Sequence, residues 1–95
     1  MSSDVKEVKA SLQREQDSLQ GIAEELRLKA TLARADIKDE LGRLEVKLRR
    51  AHEDISRLGE HVKPPLHELE SAVRKLLAEV RAGFENVRRA FDNPN

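Results

Sequence analysis

EELRLKATLARADIKDEL, residues 24–41, decides how this chain folds, because it carries apolar residues on two opposite sides of one helix. At about 100° per residue, Leu26, Ala30, Ala33, Ile37 and Leu41 form one stripe. Leu28, Leu32 and Ala35 form another about 180° away, continued by Asp39, Gly42 and Val46. The stretch contains no Pro and no Gly, so nothing local ends the helix. One stripe is a core face. The second needs a separate explanation.

The first stripe extends in both directions. Downstream it runs Leu41, Leu44, Leu48, Ala51, Ile55, Leu58, Val62, alternating steps of three and four as in a heptad coiled coil. Upstream, Leu19, Ile22, Leu26, Ala30, Ala33, Ile37, Leu41 and Leu44 follow an eleven-residue repeat, which predicts a nearly straight helix. In the second stripe, Ala35 and Gly42 are small and seven residues apart, allowing close approach of another helix.

A strong boundary lies in RLGEHVKPPLHEL, residues 57–69. Gly59 favours a helix end, and Pro64 with Pro65 forces extended backbone before a new helix starts. Beyond it, Leu66, Leu69, Val73, Leu76, Leu77, Val80, Phe84, Val87 and Phe91 make one broad apolar face, stopped by DNPN at residues 92–95. Asp4 followed by Glu7 resembles a capping box at the start of the first helix.

The chain therefore reads as a single helical domain over residues 1–95. The expected elements are a helix over about 4–60, a turn over about 60–64, a helix over about 65–91 and a frayed tail at 92–95. The fold class is all-α: a long helix and a shorter antiparallel one, a coiled-coil-like αα-hairpin. The alternative is a three-helix bundle with a break near Gly21. An unbroken first helix would be roughly 80 Å long at ~1.5 Å per residue. The second helix can cover only about residues 37–62 of it. The seam from Val5 to Ala33 would stay open, and homodimerisation into a helical bundle is the economical way to close it. Residues expected at that interface are Leu19, Ile22, Leu26, Leu28, Leu32, Ala35, Gly42 and Val46.

Composition agrees with long helices. Of 95 residues 38 % are charged, the 18 basic balance the 18 acidic, and Phe84 and Phe91 are the aromatic residues. The charge is spread evenly along the chain, so the large phosphate-neutralising field of a nucleic-acid binder is missing. There is no cysteine for disulfides or thiolate zinc sites. The opening MSSDVKEVKA has no secretory apolar stretch, and no apolar run approaches the ~20 residues of a membrane span. A cytoplasmic location is expected.

Nothing in the sequence spells catalysis. The serines sit outside any strand–turn–helix elbow, and no Gly-rich phosphate loop occurs. His61 and His67 flank the proline turn and read as solvated residues rather than metal ligands. Arg43, Arg50 and Arg57 recur every seven residues along one flank, with acidic neighbours that make them a solvated edge. No motif points to a particular family. The expectation is a non-enzymatic, self-associating scaffold, adaptor or oligomerisation module with no cofactor, no metal and no small-molecule substrate. A peripheral membrane binder is the alternative, using the last helix with Phe84, Phe91, Arg74, Arg81, Arg88 and Arg89.

Overall fold

The computed structural model describes residues 2–58 and 66–92, all in helices apart from short connections. Helix α1 spans Ser2–Lys29 and passes through Gly21 without interruption. A 3-10 turn follows at Ala30–Leu32, then α2 at Ala35–Ser56 and α3 at Leu66–Asp92. The expected helix over 4–60 is thus broken, and the break lies neither at Gly21 nor at any glycine or proline. It falls at Ala33 and Arg34, both extended, with φ/ψ of −83°/164° and −66°/157°. The turn proposed for residues 60–64 lies outside the described residues.

Local chemistry tolerates this break more than it causes it. The Ala33 N–H donates to the Ala30 carbonyl at 3.0 Å and closes the 3-10 turn. The Thr31 hydroxyl donates to the Leu28 carbonyl at 2.9 Å. The Arg34 carbonyl then accepts from the N–H groups of Ile37 and Lys38, both at 3.1 Å, and starts α2. No side chain caps that N-terminus, although Asp36 brings a negative charge into its first turn.

The cause is tertiary. Folding back at residues 33–34 turns the two halves of the long seam toward one another. Leu12, Leu19, Ala23, Leu26 and Ala30 from the first half join Leu41, Leu44, Leu48, Ala51 and Ile55 from the second in one buried core. Against both lie Leu69, Val73, Leu77, Val80, Phe84 and Val87 of α3. Each fully buried Leu, Ile, Val or Phe contributes roughly 1.5–3 kcal/mol relative to exposure. An unbroken helix in a lone chain would forfeit several of these burials. Two non-helical residues cost less than that. The particle measures 51 × 19 × 16 Å, far shorter than an unbroken first helix.

Ion pairs give the helix directions. Arg27 of α1 pairs with Glu45 of α2, and Lys47 of α2 with Glu79 of α3 at 3.5 Å. Arg81 and Arg88 of α3 reach Glu15 and Glu25 of α1, each at 3.7 Å. Glu15–Arg81 and Glu25–Arg88 run in the same order, so α1 is parallel to α3. Lys47–Glu79 together with Leu44 against Gly83 makes α2 antiparallel to α3 and hence to α1, an up-down-up bundle. Gly83 has a packing role that the sequence did not advertise: Leu44 lies on the α3 backbone there. A Cβ at residue 83 would sit 3.1 Å from Leu44 Cγ and closer still to its methyl groups.

Candidate interaction surface

The eight expected interface residues divide into two groups. Leu19 and Leu26 are fully buried in the chain's own core, and Ile22 packs half-buried against it. The structure uses these three inside one molecule. Leu28, Leu32, Ala35, Gly42 and Val46 are exposed. Leu28, Leu32 and Val46 are the large hydrophobic side chains left in solvent among the described residues, at 79 %, 96 % and 60 % exposure.

The break also redistributes the second stripe. Leu28 and Leu32, one turn apart, lie at the end of α1 and in the 3-10 turn, whereas Ala35, Gly42 and Val46 belong to α2. On each helix these positions point away from the core face. Leu28 follows buried Leu26 by two residues, and Val46 follows buried Leu44 by two, about 200° round the helix in both cases. Leu28 with Leu32 is therefore one apolar spot, and Val46 is on the back of a different helix.

A shallow polar cleft of about 380 Å³ runs along the α1–α2 seam, lined by Gln16, Asp17, Gln20, Arg27, Glu45, Arg49 and His52. Gln16 is the buried polar side chain of the described core. No buried side-chain polar atom among the described residues lacks a partner.

The charged residues behave as a surface. Among the described residues, acid–base pairs four residues apart form at Glu25–Lys29, 3.8 Å, and at Glu70–Arg74, 2.9 Å. Arg43 pairs with Glu40 at 2.7 Å, Arg57 with Asp54 at 3.7 Å, and Glu45 with Arg27 of α1. The hydrogen bond that Arg43 donates to Glu40, followed by the Glu40 charge, pushes the Arg43 pKa further above its ordinary value, with a smaller contribution from Asp39. Two of the three arginines of the sevenfold strip are thus engaged with carboxylates on their own helix. Arg50 borders a groove with Asp54 and Glu79. His52 and His67 are exposed, and His61 lies outside the described residues. Among the described residues no three His, Cys, Asp or Glu side chains gather as a metal site.

The face of α3 on which the membrane alternative depends is occupied. Val73, Leu77, Val80, Phe84 and Val87 are buried against α1 and α2, and Phe91 packs beside them half-buried. No helix among the described residues is long and apolar enough to cross a membrane.

Comparison with protein-family models, with curated proteins and with solved structures returns no match. What can be said of function comes from the residues and their placement.

Proposed function

We propose that the chain is a non-enzymatic helical module that works by self-association, with Leu28 and Leu32 as its contact spot. One observation carries this reading: two adjacent leucines, at 79 % and 96 % exposure, stand in solvent beside a core that already buries the other leucines of α1. Burying both against a second surface removes apolar area from water at about 25 cal/mol per Å². A second copy is an electrostatically permissive partner, since the chain is neutral overall and two copies do not repel through net charge. Val46, alone on the back of α2, is a weaker contact.

Sedimentation equilibrium over a wide dilution range tests this. The wild-type chain is expected to exceed its 10.8 kDa monomer mass and to return to it on dilution. Leu28→Asp with Leu32→Asp should lower the average mass at every concentration, and Val46→Asp should lower it less. A helical monomer throughout would overturn self-association. Unchanged mass in the double variant would remove the leucine spot from the interface.

A further inference from the structure

We infer that two copies of this chain exchange α1, by straightening residues 30–34 so that α1 and α2 become one continuous helix in each copy of an antiparallel dimer. The inference goes beyond the leucine spot and rests on different observations, namely the phase, the register and the chemistry of the linker.

Phase comes first. Core residues before the break recur in the core of α2 eighteen residues later: Ala23 with Leu41, Leu26 with Leu44, and Ala30 of the 3-10 turn with Leu48. Eighteen residues are five full turns at 3.6 residues per turn. A straight helix through the linker therefore keeps both halves of the core on one face, with no twist to absorb.

The flanks obey the same rule. Arg27, on the side of α1 that faces α2, and Glu45, on the side of α2 that faces α1, are also eighteen apart and pair with each other. Glu25 on α1 and Lys47 on α2 both turn toward α3, reaching Arg88 and Glu79. In the straight helix, the flank that meets the other long helix is thus continuous, and so is the flank that meets α3.

Register supplies the partner. The α1–α2 contacts are antiparallel and centred on the linker, with Arg27 opposite Glu45 and Ala30 and Leu41 lining one groove. A two-fold axis near the linker reproduces each of them between copies. Arg27 then meets Glu45 of the second copy, and Glu15 and Glu25 meet its Arg81 and Arg88. Lys47–Glu79 and Leu44 on Gly83 stay within a copy. The exchanged dimer keeps the core of the closed form and adds helical hydrogen bonds across residues 30–37, which is the condition under which exchange is favourable.

The linker has the required chemistry. Ala30 to Asp36, ATLARAD, holds no Gly or Pro, and α2 begins without a side-chain cap. Alanine, leucine and arginine are among the best helix formers. A short connection built from such residues is the kind that opens into an exchanged dimer.

The absence of cysteine allows a clean test. Arg27→Cys with Glu45→Cys places two thiols where these side chains now meet. The protein is refolded at high concentration, its mass is measured, and the thiols are joined by a short bismaleimide before denaturing electrophoresis. Exchange predicts that the dimer fraction is linked chain to chain and the monomer fraction within the chain. A dimer by mass whose links are all within single chains would overturn exchange and leave self-association standing. A monomer at every concentration would overturn both.

The second arm is Arg34→Pro. The φ of −66° at residue 34 and the ψ of 164° at Ala33 suit proline in the closed form, whereas proline inside a continuous helix breaks it. The variant should keep wild-type helicity by circular dichroism and lose at least tenfold in dimer formation. Wild-type dimer levels in this variant would overturn the straightened linker.

Discussion

Leu26 and Leu28 are two residues apart on the same helix, yet one is fully buried and the other is 79 % exposed. The same contrast separates Leu44 from Val46 on α2, the first 3 % and the second 60 % exposed. Both members of each pair are large and apolar, so polarity does not distinguish them. What distinguishes them is whether the face they occupy is met by another helix. The inward face of α1 and α2 is covered by each helix and by α3, and the outward face by nothing among the described residues. The packing that holds the fold therefore lies on one side of these helices, and on the other side the apolar residues stay in water.

The largest effect expected from that contrast comes from truncation on the inward face. Leu26→Ala should destabilise the fold by about 2–5 kcal/mol in chemical denaturation, since it leaves a cavity among buried side chains. Leu28→Ala should change stability by no more than about 0.5 kcal/mol in dilute monomer. Equal losses in the two variants would show that α1 does not pack by the face assigned here.

Glycines sharpen the same comparison at a smaller scale. At Gly83 a methyl group would press on Leu44. Overpacking of this kind costs about 1–3 kcal/mol, against a helix-propensity gain of about 1 kcal/mol. Gly83→Ala should therefore lower stability by about 1 kcal/mol. Gly42 stands on the outward face of α2 with nothing within 4 Å of a new Cβ. Gly42→Ala should gain about 0.5–1 kcal/mol from propensity alone. Opposite signs in thermal melts would support the two faces as described; a gain at both would mean that Leu44 has room to move.

The smallest effect belongs to the boundary between the faces. Arg27 and Glu45 pair across the α1–α2 groove with the arginine side chain 61 % exposed. A double-mutant cycle with alanine at both positions should give a coupling below about 1 kcal/mol that weakens with salt. A larger, salt-resistant coupling would place the pair inside a desolvated interface.

Much of this was legible in the residues. The apolar spacing from Leu69 to Val87 marks the buried face of α3, and Leu41 to Leu58 that of α2 and the residues just after it. The outward position of Leu28, Leu32, Ala35, Gly42 and Val46 also follows from period alone, because a residue about 180° from a core stripe faces away from it. Two things were not legible. Reading the first helix as unbroken puts Leu19, Ile22 and Leu26 at a contact between chains, whereas the fold packs them on the chain's own core. Gly83 looked like an ordinary helical glycine, since nothing in its neighbours along the chain reveals that Leu44 comes to rest on it.

The sequence alone determines that this chain is helical and which side of each helix is apolar. These are properties of near neighbours, set by propensity and by periodicity. Only the tertiary structure decides where the first seam folds back. ATLARAD is as good a helix as its flanks, so no local preference selects Ala33 and Arg34. The choice is made by the apolar area that an unbroken helix would leave in water, a quantity that exists only once residues distant in sequence have met.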